Sequence, residues 1–285
     1  MPETGVEKQL ESWFSSPTLE MLPNSTSMGA LQAIPLETHH SITNLQSENI
    51  DTTTDFSLGL VGEGRSVIPH ISASRIDRQK AFEVGNLLKR CSVDHIFVMN
   101  GDNDGDTATY ASSLELLEDL RDNGITFGEI GVVGHPEGHP QVPGHILDQA
   151  LVDKQDFAKQ TEAEMYIVTQ MCFDPSTVAS WIRQIRSKGV NLPAKIGVPG
   201  PIGIDKLINY SGACGVGESV QFLKTGSEMS ARGRSNARSL FNPYNFLNEL
   251  AQETTDSDGI DGLYFFTFNE PLGTQEWFRN ARETV

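Results

Sequence analysis

Three stretches of this chain carry residue types at spacings that could do chemistry, and a fourth imitates one. Glu20 lies in an apolar run with Leu19, Met21 and Leu22. A carboxyl among such neighbours is hard to ionise, so its pKa rises toward the range where a general acid works near neutral pH. The other reading is a structural carboxylate paired to Lys or Arg. His135 and His139 share the loop GHPEGHP, residues 134–140. A zinc-type pair at this spacing sits on a helix with a third ligand to hand. Two prolines and two glycines make this segment a turn, so its histidines read as hydrogen-bonding a ligand, with a purely structural turn and a metal pair as the alternatives. Asn100-Gly101-Asp102 closes another apolar run, and its glycine lets backbone approach a ligand closely. The acidic residues Asp102–Asp106 imitate a calcium loop. Thr107 stands where that loop demands Gly, and no Glu occupies the twelfth position, so the run reads as a solvated loop. Gly212–Gly217 (GACGVG) follows no strong strand and lacks the dinucleotide-loop spacing. Cys91, Cys172 and Cys214 include no CxxC pair and read as buried reduced thiols.

Eight short apolar runs would hold these residues in place: Thr18–Leu22, His40–Asn44, Val67–Ser72, His95–Asn100, Ile130–Gly134, Met165–Gln170, Lys195–Pro199 and Leu263–Asn269. Continuous apolar strands are buried on both faces, as parallel strands covered by helices are. Nearly every run ends in a polar residue. The pattern predicts an α/β protein, a single-domain (β/α)8 TIM barrel over residues 1–285, whose site lies at the C-terminal ends of the strands. A short N-terminal helical extension is expected over residues 1–16, with Leu10, Trp13 and Phe14 on one side. Helices are expected over Arg78–Arg90, Ser112–Asn123, Gly144–Gln160, Pro175–Lys188 and Asn245–Glu253, with short ones at Ile204–Tyr210 and Glu218–Leu223 and a closing helix around Trp277. The first β–α connection, Pro23–Pro35, is poor in helical pattern.

The net charge of −17 opposes nucleic acid, whose binding needs Lys and Arg against phosphates. It still allows a local anion pocket built from backbone N–H groups and one or two lysines. No apolar run approaches the roughly 20 residues that a bilayer needs, so no membrane partner is expected. The N-terminus lacks the basic start and apolar core of a signal peptide, which makes a cytoplasmic location the expectation.

Taken in order, several segments resemble the methylenetetrahydrofolate reductase family. Thr18–Pro23 (TLEMLP) is similar to that family's opening strand. Pro69–Ser72 (PHIS) resembles its P-H-x-[TS] strand end, Gly101-Asp102 its R-G-D, and Tyr110–Ser112 its Y-A-S. Gly134–Pro140 resembles its Y-P-E-x-H-P loop, Thr169–Asp174 (TQMCFD) its T-Q-x-x-F-D, and Phe266–Asn269 (FTFN) its Y-T-L-N. The resemblance implies a barrel that binds FAD and interconverts 5,10-methylene- and 5-methyltetrahydrofolate, with folate and NAD(P)H taking turns at one flavin face. It implies that Glu20 protonates the folate ring nitrogen, and that Asp102 tunes flavin and pterin electrostatically. Gln170 would bind substrate. Thr43, His70, Asn100, Gly101, Asp102, Tyr110, Ala111, His135 and His139 would line the flavin site, with Lys154 or Lys159 meeting its pyrophosphate. The chain departs from the family at four places: Asn100 and Glu270 replace arginines, His135 replaces the loop tyrosine, and Ile202–Leu207 replaces a stacking aromatic. Each change removes stacking or positive charge from the cofactor side. The second reading is therefore a flavin-independent variant or a non-catalytic folate-binding subunit. The third is a metal-dependent barrel hydrolase using His39, His70, His135, His139 and Asp102. The reaction direction and the formation of a homo-oligomer stay open at this stage.

Overall fold

The computed structural model describes residues 5–24, 28–29, 31–44, 49–101, 108–203, 206–207 and 241–283. Among the described residues, eight parallel strands close into a barrel in the order β1 to β8. They are β1 Thr18–Met21, β2 His39–Ile42, β3 Val67–Ser72, β4 His95–Met99, β5 Glu129–Gly134, β6 Glu164–Thr169, β7 Ala194–Pro199 and β8 Ile260–Phe266. The barrel shuts where Thr18 pairs with Tyr264 and Leu19 with Phe265. Each expected run holds a strand. The largest shift is in the last, where the strand starts at Ile260 and leaves the sheet before Thr267.

Among the described residues, eight α-helices accompany the strands: α1 Gly5–Trp13, α2 Ile50–Gly62, α3 Arg78–Arg90, α4 Ser113–Asp122, α5 Gly144–Thr161, α6 Pro175–Ser187, α7 Pro243–Glu253 and α8 Pro271–Arg282. Side-chain caps start several of them. Asp77 accepts from the Lys80 N–H, Ser112 from Glu115, and Asp174 and Asn242 each cap a helix with proline in its first turn. Helix α2 is not foreshadowed by the apolar pattern, because Thr52, Thr53 and Thr54 are poor helix formers. It forms because its hydroxyls have somewhere to go: Thr53 donates to the Thr43 carbonyl at 2.8 Å, Thr54 to Ile50 at 2.8 Å and Ser57 to Thr53 at 2.7 Å. The short helices expected at 204–210 and 218–223 lie outside the described residues, apart from positions 206 and 207. Helix α1 packs at the strand N-termini, where Trp13 Nε1 donates to the Ile260 carbonyl at 3.2 Å.

Inside the barrel, Ile68, Phe97, Tyr166, Val168 and Tyr264 form a buried plug, with Met99, Val133 and Phe266 packed on it. Glycine makes room for the rings. A Cβ on Gly131 would stand 2.5 Å from Phe97 and 2.7 Å from the Tyr166 hydroxyl. Toward the strand N-termini the interior turns polar. His95 Nε2 meets the Tyr166 hydroxyl at 2.8 Å, His95 Nδ1 faces Glu129 at 3.2 Å, and Lys195 Nζ lies 4.5 Å from the Tyr166 ring centroid. Burial pushes His95 down to about 3, with Lys195 nearby acting in the same sense.

Outside the barrel wall, fully buried His40 sets Nδ1 3.2 Å from the Ser66 carbonyl and leaves Nε2 without a partner. Burial lowers its pKa to about 4, against the opposing Ser66 bond. Because the folded value lies below the unfolded one, its contribution to stability is full above pH 6.5 or so and is lost as pH falls toward 4. His40→Asn, which keeps a donor near Ser66, should therefore lose less stability than the parent between pH 7.5 and 5.5. The expected difference is about 1 kcal/mol in paired denaturant titrations. Parallel pH dependence in the two proteins would show that His40 is not the titrating group.

Candidate active site

At the C-terminal mouth of the barrel, three neighbouring strands and the closing strand aim polar groups at one point. β1 supplies Glu20, β2 Ser41, β3 His70 and β8 Tyr264. Tyr264 donates to Glu20 Oε2 at 2.9 Å, and its oxygen also lies 3.0 Å from Ser41 Oγ and 3.2 Å from His70 Nε2. Ser41 Oγ and His70 Nε2 are 2.7 Å apart. Thr267 Oγ1 donates to the Glu20 carbonyl at 2.6 Å and ties the exit of β8 to β1. Alternation along the strands explains the convergence. Glu20 and Ser41 are register partners, and Tyr264 pairs with Thr18 one inward position below Glu20. Tyr264 and His70 are buried, while Glu20 keeps partial access through the mouth. Desolvation by burial raises the Glu20 carboxyl to about 7, and the Tyr264 hydroxyl opposes that rise. A carboxyl in this state holds a proton near neutral pH and can release it. His70 is pushed down to about 3 by burial and stays neutral. Its ring lies 4.7 Å from that of Phe97.

A second group gathers after β5. His135 and His139 stack edge to face at 5.4 Å, and Lys154 rises from α5 beside them. Burial lowers His135 to about 4, assisted by His139 and Lys154. Burial also lowers Lys154 to about 8, and the nearby Asp153 offsets it only in part. No ion pair or hydrogen bond holds the Lys154 ammonium among the described residues. Lys159 differs. It sits on the last turn of α5, largely exposed, 2.8 Å from Asp156. The two lysines are five residues apart, about 140° around a helix, so only one of them faces the loop.

The remaining expected residues fall in three places. Thr43 is buried at the end of β2 with Oγ1 unpartnered. Gln170 follows β6; its Oε1 accepts from the Met171 N–H at 2.8 Å, which leaves its amide donor available. Gly101 has φ +81, and a Cβ there would collide with the Ser72 hydroxyl. This glycine follows Asn100, whose carbonyl accepts from the Ser74 N–H at 2.8 Å. Tyr110 is not brought to the mouth group: it is buried, and its hydroxyl donates to Asp119 at 2.8 Å, beside the Arg78–Asp119 pair. Ala111 is exposed before α4, its N–H bonded to Glu115. Asp102 lies outside the described residues. Among the described residues, no three His, Cys, Asp or Glu side chains are arranged to hold a metal ion.

The sequence pattern overlooked Ser41, Tyr264 and Thr267. Tyr264 sits in the run LYFF, where two neighbouring aromatics mask the alternation that points it inward. An apolar wall was overlooked as well. Met171, Phe173, Ile202 and Leu207 pack with Phe241, Phe266 and Phe268 on the β6–β8 side of the mouth. Ile202 and Leu207, the described ends of the aliphatic stretch expected to replace a stacking aromatic, thus pack among aromatics from elsewhere in the chain.

A family model described as methylenetetrahydrofolate reductase matches residues 63–220, more than half of the chain. Methylenetetrahydrofolate reductase 1 of Schizosaccharomyces pombe is 31% identical over 145 residues, 49% of this chain and 22% of that protein. A probable methylenetetrahydrofolate reductase (NADPH) of Caenorhabditis elegans is 25% identical over 95 residues, 33% of this chain and 14% of that one. The chain thus matches less than a quarter of the length of either relative. Among solved structures, a Clostridium thermocellum protein that binds two copies of 5-methyl-5,6,7,8-tetrahydrofolic acid superposes with a TM-score of 0.62 at 12% identity, covering 98% of this chain and 99% of that one.

An uncompensated, desolvated ammonium is destabilising until an anion reaches it. Lys154→Met keeps the packing of the stem and removes the charge. In the absence of ligand it should stabilise the protein by about 1 kcal/mol, read as a higher midpoint of thermal unfolding. Lys159→Met should change that midpoint little, since exposed pairs contribute about 0–1 kcal/mol. A lower midpoint for Lys154→Met would mean that the ammonium has a stabilising partner.

Proposed function

This chain belongs to the methylenetetrahydrofolate reductase family, and on that premise we propose that it interconverts 5,10-methylene- and 5-methyltetrahydrofolate with NAD(P)H as co-substrate. The observation that carries the reading is Glu20, a carboxyl raised to about 7 at the open end of the barrel, with one hydroxyl donor and an apolar floor. The Clostridium thermocellum protein, which shares this fold, binds two copies of 5-methyl-5,6,7,8-tetrahydrofolic acid.

In the reducing direction the five-membered ring of the substrate must open. Glu20 delivers its proton to the ring nitrogen as the carbon–nitrogen bond breaks, which leaves the exocyclic carbon able to accept a hydride. The Gln170 amide donor orients the pterin from the β6 side. Phe97, Tyr264 and Phe266 close the mouth from below, and the Phe173–Phe268 wall closes it from the side. Water is kept from the reacting carbon by these walls.

FAD is the proposed cofactor, and two features of this chain fit it. Thr43 Oγ1 is an orphaned buried hydroxyl at the end of β2. Lys154 is an unpaired ammonium beside His135 and His139, the arrangement that a pyrophosphate would neutralise. Of the two candidate lysines, Lys154 is the one assigned here, because Lys159 is engaged with Asp156. When bound, the flavin supplies the hydride chemistry.

Glu20→Gln should lower folate turnover by about 100-fold or more while leaving NAD(P)H-driven bleaching of the flavin bands intact. In the parent, folate reduction should decline as pH rises through about 7, because the acid must be protonated to act. Turnover by Glu20→Gln near the parent rate would contradict the assignment of the acid. If no flavin bound even after addition of FAD, a folate-dependent loss of NAD(P)H absorbance would point to direct hydride transfer, and its absence to a binding subunit.

A further inference from the structure

Glu20 must exist in two forms during the proposed reaction, and the groups beneath it can satisfy both. Tyr264 has one proton and three acceptors within reach: Glu20 Oε2 at 2.9 Å, Ser41 Oγ at 3.0 Å and His70 Nε2 at 3.2 Å. Ser41 also has one proton, and its shortest contact is His70 Nε2 at 2.7 Å. His70 ends the chain of contacts as a neutral acceptor, because it is buried against Phe97 and its pKa is pushed down to about 3. Two arrangements use every proton once. With Glu20 ionised, Tyr264 donates to the carboxylate and Ser41 donates to His70. With Glu20 protonated, the carboxyl donates to the Tyr264 oxygen, Tyr264 turns its proton to Ser41, and Ser41 still donates to His70.

We propose that Tyr264, Ser41 and His70 form a hydroxyl relay that follows the protonation state of Glu20 and stabilises the carboxylate left behind when its proton is delivered. Tyr264 and Ser41 are positioning residues here, acting on substrate only through Glu20. The relay rests on the reading of Glu20 as the proton donor. Four strands contribute to it, β1, β2, β3 and β8, and its hydroxyls and ring sit at inward positions of the barrel. The titratable groups around it among the described residues are few. His70 faces it from β3 and Tyr264 from β8, and Tyr166 on β6 influences Tyr264 electrostatically. Phe97 on β4 contributes only a ring.

The relay separates itself from simple packing through Ser41, which has no hydrogen bond to Glu20. A bond to a carboxylate is stronger than a bond between neutral groups, so removing the tyrosine hydroxyl disfavours the ionised form. Tyr264→Phe, which keeps the ring, should raise the Glu20 pKa by about one unit. Ser41→Ala leaves His70 Nε2 without a donor whenever Tyr264 serves Glu20. It should therefore also raise the Glu20 pKa, but only while Tyr264 is present.

The test is an infrared pH titration of the carboxylic-acid C=O band of Glu20, assigned by its loss in Glu20→Gln. It is run on the parent, Tyr264→Phe, Ser41→Ala and the double variant. The expected result is an upward shift in each single variant and no further shift from Ser41→Ala once Tyr264 is Phe. The same order should appear in the pH profile of kcat for folate reduction, with KM for folate changed less than kcat. A Ser41→Ala shift of equal size with and without the tyrosine hydroxyl, or no shift at all, overturns the relay. Should Tyr264→Phe fail to fold, Ser41→Ala in the intact network still decides: an unmoved Glu20 titration overturns the proposal. The infrared titration needs no folate, so a relay that fails leaves the reductase reading standing. A protein that titrates as expected but turns over no folate fails that reading alone.

Discussion

The proposed chemistry at the mouth depends on one constraint: a carboxyl is held over a plug of aromatic rings with a single hydroxyl to answer it. Solvation would keep Glu20 ionised at neutral pH, and full enclosure without a donor would keep it protonated beyond use. The barrel sets it between these limits. Phe97 and Tyr264 remove water from below, the mouth admits it from above, and the Tyr264 hydroxyl lowers the cost of the charged form. Such a balance needs groups from both ends of the sequence. Glu20 and Tyr264 are 244 positions apart and meet only because β8 closes on β1.

Closure therefore does the work of assembly. The Thr267 hydroxyl on the Glu20 carbonyl fixes the exit of β8 against β1. Immediately beyond it, Phe268 and Asn269 take positive φ values of 49° and 63°, a conformation that costs energy for a ring-bearing residue such as Phe268. This turn directs Phe268 into the apolar wall with Phe173, Ile202 and Leu207. At the opposite end of the barrel, His95, Tyr166, Glu129 and Lys195 form a polar layer bonded within itself. The plug separates these two polar layers, and reactions in this fold take place at strand C-termini, the end where Glu20 lies.

Much of this was legible in the chain, and the failures have physical causes. Apolar runs of strand length found all eight strands, because parallel strands buried on both faces advertise themselves as continuous stretches. Helix α2 escaped because its stability comes from threonine hydroxyls bonded to backbone carbonyls and not from propensity. Glu20 stood out as a carboxyl between apolar neighbours. Tyr264 did not, since an inward tyrosine among aromatics has no local mark, and its partner lies across the closure of the barrel. The sequence left Lys154 and Lys159 as alternatives because extra residues before Tyr166 blur the match to the family there; in the structure Lys159 faces Asp156, and Lys154 lies beside His135. Tyr110 matched a family motif, and the bond of its hydroxyl to Asp119 could not be read from that motif, because the partner lies on the following helix.

The most direct measurement of the central claim is a crystal structure with 5-methyltetrahydrofolate bound. The pterin should lie in the strand C-terminal mouth, resting above the Phe97–Tyr264 plug, with a ring nitrogen facing the Glu20 carboxyl and the Gln170 amide at its edge. Folate bound away from β1, with Glu20 still covered only by Tyr264 and water, would contradict that claim.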